Sequence, residues 1–311
     1  MGKIAFIFPG QGAQYPGMGK DFFETFEAAR EVFECAAGVT GLDMEKLVFS
    51  GNEELNLTEY TQIAMITVEL AMWSVIKEKG LKADICAGLS LGEYAALAAS
   101  GVMDMADIFR VVRKRGICMQ NAYPTGGAMT AVLGLDNETV DAVCKRVQEE
   151  KGKPVSVANY NCPGQIVITG EASAVEEAAA GCTAAGAKRA LPLNVSGPFH
   201  SALLADAAKA LAEELKVTAI HTPQIPYYTN VTAQAVTNEE GIRELLAEQI
   251  CSPVRWQQSV ERMIADGAEC FIEIGPGKTL AGFMKRINKE VKTYNIGTVE
   301  EMEQVLSAFN A

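Results

Sequence analysis

Short runs of consecutive apolar residues alternate along this chain with longer stretches in which apolar positions recur every three or four residues. The first pattern predicts strands buried on both faces, the second helices with one buried face. Lys3–Phe8 (KIAFIF) is such a strand, ended by Pro9-Gly10 and followed by the loop Gly10-Gln11-Gly12. A helix is predicted from about Gly19 to Ala37, and a longer one from Thr58 to Lys79. Gly80 follows it, a residue suited to the left-handed position past a helix C-terminus. Ile85-Cys86-Ala87 is a short strand, Glu93 to Ala99 a helix, and Asp104 caps a helix that reaches about Ala122.

Pro124-Thr125-Gly126-Gly127 interrupts this rhythm. Beyond it come a strand (Met129 to Leu133), a helix (Asn137 to Glu150) and two strands (Val155 to Ala158, Gln165 to Thr169). The capping box Ser173-Ala174-Val175-Glu176 then opens a helix ending near Gly186, and a strand covers Lys188 to Leu193. This βαββαβ order is the ferredoxin-like split-βαβ unit. The larger pattern then resumes with a helix after His200, a strand from Ile225 to Thr229 and a helix from Asn238 to about Gln249. A helix starting at Ser252-Pro253, a strand from Glu269 to Ile274, the turn Gly275-Pro276-Gly277, a basic helix and a last strand and helix complete it. The expectation is an α/β fold. Residues 1–124 and 195–311 form a parallel-sheet core, and 125–194 an inserted ferredoxin-like subdomain.

The chain has 311 residues, 49% of them hydrophobic, enough for a large core in one or two domains. Its net charge of −12 argues against a nucleic-acid partner. No apolar stretch approaches the length of a membrane span, and Met1-Gly2-Lys3 opens no signal-peptide layout, so a cytoplasmic location is expected. The eight cysteines include no C-x-x-C pair, which points to reduced thiols and no metal.

Gly88-Leu89-Ser90-Leu91-Gly92 reads Gly-x-Ser-x-Gly between a predicted strand and a predicted helix, the setting of a nucleophile elbow. Its alternative is a small-residue turn without chemistry. A serine nucleophile needs a base, and the chain has two histidines. His221 lies in a loop before a strand and reads as a surface or packing residue. His200, in Ser196-Gly197-Pro198-Phe199-His200, opens a helix, whose N-terminus disfavours the imidazolium and so suits a general base. At about 100° per residue, Arg115 falls roughly 20° from Ile108, on the apolar face, whereas Arg110, Arg113 and Lys114 fall opposite. An inward guanidinium needs a partner, either a buried acid or a substrate carboxylate. Gln11 sits where glycines let backbone approach a ligand, and its side chain could support an acyl group or oxyanion. Two apparent nucleotide motifs fail, because a dinucleotide loop wants glycine at Tyr15 and a phosphate loop wants it at Ile272.

With Ser90, His200 and Arg115 in place, the chain resembles the malonyl-CoA:acyl carrier protein transacylases of fatty-acid synthesis and the acyltransferase domains of polyketide synthases. The resemblance covers nearly the whole chain. It rests on Phe8-Pro9-Gly10-Gln11-Gly12, Thr61-Gln62, Gly88 to Glu93, Arg115-Gly116, Met119-Gln120, Ala158 to Asn161 and Pro163 to Gln165. It continues through Gly197 to Ser201, Asn230-Val231-Thr232, Gln249, Pro253 to Trp256 and Glu273 to Gly277. It implies an α/β-hydrolase-like core, a malonyl ester on Ser90, His200 as base and the Gln249 carbonyl orienting the imidazole. It further implies Arg115 on the malonyl carboxylate, an oxyanion hole from the N–H groups of Gln11 and Leu91, and Asn159 and Asn161 lining the site. Phe199 fits members selective against branched malonyl groups, although one methyl is worth only about 1–3 kcal/mol. Leu89 stands where many members have His.

The expected reaction is therefore ping-pong transfer from malonyl-CoA to the phosphopantetheine thiol of acyl carrier protein, with no cofactor and a monomeric enzyme. The carrier is acidic, so basic groups must dock it. Candidates are Arg110, Arg113 and Lys114, then Lys188-Arg189, then Lys285-Arg286 with Lys289. A serine hydrolase and a non-catalytic carrier-binding module remain the alternatives at this level.

Overall fold

Ten strands form two sheets in the computed structural model, which describes residues 2–195 and 197–310. Ser196, at the start of the turn before His200, lies outside the described residues, as do Met1 and Ala311. The strands are β1 (Lys3–Phe8), β2 (Ile85–Gly88), β3 (Gly127–Leu133), β4 (Val155–Cys162) and β5 (Gln165–Glu171). They continue as β6 (Arg189–Pro192), β7 (Tyr227–Tyr228), β8 (Ala235–Val236), β9 (Ala268–Ile274) and β10 (Lys292–Ile296). The first sheet runs β10-β9-β1-β2-β7-β8 and is parallel except for β8. β1 lies inside it with Ala5 to Phe8 at most 2% exposed, which is why its apolar run does not alternate. Phe8 pairs with Gly88, so β1 and β2 end level. The loop at Gly10 to Gly12 and the turn at Ser90 therefore meet at the carboxyl edge of the sheet, where open α/β sheets hold their ligands.

The second sheet, β4-β5-β3-β6, is antiparallel, as a βαββαβ unit requires. The helices Asn137–Lys151 and Ala172–Ala184 pack on one face through Val140, Val147, Val175 and Ala178. Met129, Ala158 and Val167 join the main core instead. A parallel bridge from Asn159 to Val254 links this sheet to the larger unit, with Tyr160 N donating to Val254 O (2.9 Å) and Val254 N to Ala158 O (2.8 Å).

Several local expectations change. The helix expected over Gly19 to Ala37 is two, Lys20–Thr25 and Glu27–Thr40, because Phe26 is extended at ψ 134°. Its ring packs on Phe22, and Arg30 Nη1 takes the freed carbonyl of Phe23 at 3.0 Å. Glu171, not Ser173, caps the helix Ala172–Ala184, accepting from Ser173 N and Ala174 N. Pro253 does not begin a helix, since Val254 is held in the bridge, and the helix starts at Trp256. The helix expected from Asn238 begins at Ile242, after Gly241 at φ 74°. Asp104 stands at a helix start without bonding it through its side chain. No described helix is long and apolar enough to cross a membrane, and all eight cysteines are free.

Candidate active site

Close backbone approach explains both glycines of the elbow. A Cβ on Gly88 would lie 1.9 Å from the carbonyl carbon of Gly92, and one on Gly92 would lie 2.2 Å from the Phe8 carbonyl oxygen. Ser90 between them adopts φ 54°, a left-handed conformation costing roughly 1–2 kcal/mol for a residue with a side chain. Asn230 holds it there: Ser90 N–H donates to Asn230 Oδ1 (2.6 Å), and Asn230 Nδ2 donates to the Gly88 carbonyl (2.7 Å).

Ser90 Oγ lies 2.7 Å from His200 Nε2, and His200 Nδ1 lies 2.8 Å from the Gln249 carbonyl oxygen. That carbonyl can only accept, so Nδ1 carries the proton and the Nε2 lone pair faces the hydroxyl. His200 is 4% exposed, and its pKa falls from 6.5 to about 4 through burial first and the Arg115 charge second. This corrects the helix-dipole argument. His200 itself is at φ 59° in a turn, followed by the 3₁₀ segment Ala202–Leu204 and then the helix Ala205–Val217. Burial and a neighbouring cation keep it neutral.

Arg115, on the helix Met105–Ala122, is 1% exposed, as its wheel position predicts. Nη1 donates to Gln62 Oε1 (2.7 Å), and Nη2 donates to Ser90 Oγ (3.1 Å) and Gln249 Oε1 (3.0 Å). The Tyr94 ring lies 5.5 Å away, and Nε has no hydrogen-bond partner among the described residues. These hydrogen-bond partners are neutral, so the guanidinium is not locked in a direct ion pair through them. Burial lowers its pKa.

A cavity of about 230 Å³ opens over Ser90, lined by Gln11, Leu91, Arg115, Asn159, Asn161, Phe199 and His200 among others. The Gln11 side chain donates to Thr58 Oγ1 (3.2 Å), while the Gln11 and Leu91 N–H groups make no hydrogen bond among the described residues. Leu91 follows the nucleophile, the position from which an elbow supplies an oxyanion donor. Asn159 and Asn161 are each 7% exposed on β4, and Asn161 Oδ1 has no hydrogen-bond partner among the described residues. Leu89 offers no polar atom and packs over Gly10, where a Cβ would meet its side chain at 2.8 Å. His221 is half exposed and 3.9 Å from Asp104, away from the cavity.

The sequence assigns no role to three residues that meet the site: Gln62, Glu93 and Asn230. The available signal was a polar residue on the buried face of an apolar helix. Gln62 stands among Ile63, Met65 and Ile66, and Glu93 opens an alanine-rich helix. Glu93 Oε2 accepts from Gln249 Nε2 (2.6 Å) and Asn230 N (3.1 Å). Burial above all raises its pKa to about 7. Asn230, in a loop, gives no such signal.

The assembly can perform acyl transfer through a serine ester: a hydroxyl facing a neutral base, donors near the acyl oxygen, and a cation beside the nucleophile. The chain matches the acyl transferase domain family over residues 5–306. It is 46% identical over 305 residues to the malonyl CoA-acyl carrier protein transacylase of Bacillus subtilis (strain 168), covering 97% of this chain and 96% of that one. The crystal structure of malonyl CoA-acyl carrier protein transacylase from Clostridium perfringens superposes with TM-score 0.95 at 43% identity, covering 99% and 97% of the two chains. A type II polyketide malonyl-transacylase in complex with its acyl-carrier protein gives TM-score 0.95 at 43% identity, covering 98% and 99%.

Proposed function

This chain belongs to the acyl transferase domain family, and from that premise we propose that it moves malonyl groups from malonyl-CoA to the phosphopantetheine thiol of acyl carrier protein, supplying extender units for fatty-acid synthesis. The observation that carries the reading is that Ser90 Oγ touches both His200 Nε2 (2.7 Å) and Arg115 Nη2 (3.1 Å). Ser90 attacks the thioester carbonyl as His200 takes its proton. The oxyanion is held by the N–H groups of Gln11 and Leu91, the C–S bond breaks, and His200 returns the proton to the CoA thiolate. The carrier thiol then attacks the Ser90 ester by the reverse route. Arg115 binds the distal carboxylate, Asn159 and Asn161 line the acyl path, and Phe199 crowds branched groups. Neither metal nor cofactor takes part, and the enzyme works as a cytoplasmic monomer. Residues 125–194 act as a subdomain inserted in the catalytic domain of 1–124 and 195–311.

Arg110 is paired with Asp107 and Glu214, and Arg113 with Glu59, which leaves exposed Lys114 to represent that patch, so we favour another site for the acidic carrier. Lys188, Arg189, Lys285, Arg286 and Lys289 are exposed. The helix Thr279–Ile287 also lends Thr279, Leu280 and Phe283 to the cavity wall, and Leu193 joins them just after β6. The basic groups and part of the cavity wall thus share the same elements, which supports docking of an acidic domain on this side. Mixing with malonyl-CoA should add one malonyl mass that is absent in Ser90→Ala. No adduct would overturn the enzyme reading, and free malonate released faster than carrier is loaded would make it a hydrolase.

A further inference from the structure

We infer that Glu93 is a positioning residue for Arg115, acting on it through the side-chain amide of Gln249. The inference rests on the proposed binding of an acyl carboxylate by Arg115. Glu93 is fully buried at the first turn of the helix Gly92–Ala99, directly beneath the nucleophile turn. Its Oε2 accepts from Gln249 Nε2 at 2.6 Å, the same nitrogen donates to the Ser90 carbonyl at 3.0 Å, and Gln249 Oε1 accepts from Arg115 Nη2 at 3.0 Å. The amide is thus held between a group that accepts and a group that only donates. Its orientation is fixed by chemistry: oxygen toward the guanidinium, nitrogen toward Glu93.

The spacing matters as much as the contact. An acid touching Arg115 directly would occupy the guanidinium fork with two parallel bonds, and a substrate carboxylate would have to displace it. One amide away, Glu93 orients the cation without filling it. Arg115 Nε, buried beside the Tyr94 ring, has no hydrogen-bond partner among the described residues. Without an acceptor at position 93 the Gln249 amide nitrogen keeps only the longer bond to the Ser90 carbonyl, which loosens the amide and with it the setting of the guanidinium. Asn230 N, also on Glu93 Oε2 at 3.1 Å, ties the same carboxyl to the residue that pins Ser90. The side chain of Gln249 therefore has a task separate from that of its carbonyl, which meets His200.

The test compares Glu93→Leu, which removes the acceptor while keeping bulk, with Glu93→Gln, which keeps an acceptor oxygen. The readout is the malonyl-over-acetyl ratio of kcat/KM for acylation. Losing one well-aimed hydrogen bond to a charged group predicts a fall of about 10-fold or more in Glu93→Leu, mostly through KM for malonyl-CoA. In Glu93→Gln the ratio stays within about 3-fold of wild type. Equal losses for both acyl groups, or an unchanged ratio in Glu93→Leu, would make Glu93 merely structural. Should Glu93→Leu fail to fold, Gln249→Met cuts the same relay from its other end and must lower the ratio likewise. Equilibrium binding of malonyl-CoA against acetyl-CoA in a Ser90→Ala background repeats the comparison without turnover. It separates failure of this inference from failure of the acyl-transfer reading, which the wild-type mass adduct decides.

Discussion

At Ser90 the hydroxyl oxygen lies between the His200 lone pair and the Arg115 guanidinium, so one atom is readied as a nucleophile and placed beside a cation. For Arg115→Ala, malonyl acylation is expected to fall about 10²-fold or more, because truncating one member of a buried charged pair costs about 2–5 kcal/mol. Acetyl acylation, which brings no second carboxylate, should fall far less; parallel single-turnover measurements check this, and equal losses would mean a structural guanidinium. The pH dependence follows from His200. Its pKa is lowered to about 4, so the base form is populated above that value and lost as pH falls through it. Acylation by the free enzyme should therefore stay flat from pH 8 to about 5 and drop only below it, with no inflection near the ordinary 6.5. A single-turnover pH series measures it. Arg115 was legible in the sequence because a charge at an apolar helical phase stands out. Glu93 and Gln62 carried the same signal but ambiguously, since a buried polar residue does not announce its partner when the partner lies far along the chain.

The nucleophile elbow shows how an element can be specified by what it leaves out. Gly88 and Gly92 have backbone, not side chains, where a Cβ would go, so nothing flexible can yield. Gly92→Ala should destabilise the protein by about 3 kcal/mol, the upper end of overpacking, and remove acylation even in the fraction that folds. Urea unfolding and mass labelling of Ser90 report the two effects. Strand, turn and helix were all readable here because local pattern and tertiary role agree. They disagreed at Phe26, where a helical pattern is broken by an aromatic ring turned onto Phe22, and at Pro253, where a helix-start signal is overruled by the Asn159–Val254 bridge. The two-residue β7 is too short for periodicity to bound. That bridge also brings β4, with Asn159 and Asn161, up to the catalytic half, which no local pattern could foretell.

Across the whole molecule, buried acids link folding to pH. Glu273, at the inner end of β9, accepts from Leu280 N (3.0 Å) and Ala281 N (2.7 Å) and so caps the helix that walls the cavity. Burial above all raises its pKa from 4.5 to about 7, and Glu69, fully buried nearby, is raised well above its ordinary value by burial and then by Glu273. A raised carboxyl favours the folded state fully below about 4.5, and that contribution is lost as pH rises through about 7. Glu273→Gln, which does not titrate, should flatten the decline in unfolding free energy between pH 5 and 7.5, by on the order of a few kcal/mol, as urea titrations at each pH would reveal. An equally steep decline in the variant would clear Glu273 of the effect. The parallel core could be anticipated from unbroken apolar runs, but its strand order could not. β1 pairs on one side with β2 and on the other with β9, which the ribosome delivers some 260 residues later. Until then one edge of an unbroken apolar strand stays open for pairing with any neighbour, the kind of surface that seeds aggregation. Biogenesis of this protein therefore has its most vulnerable interval between the synthesis of these two strands, and protection by a chaperone is most needed there.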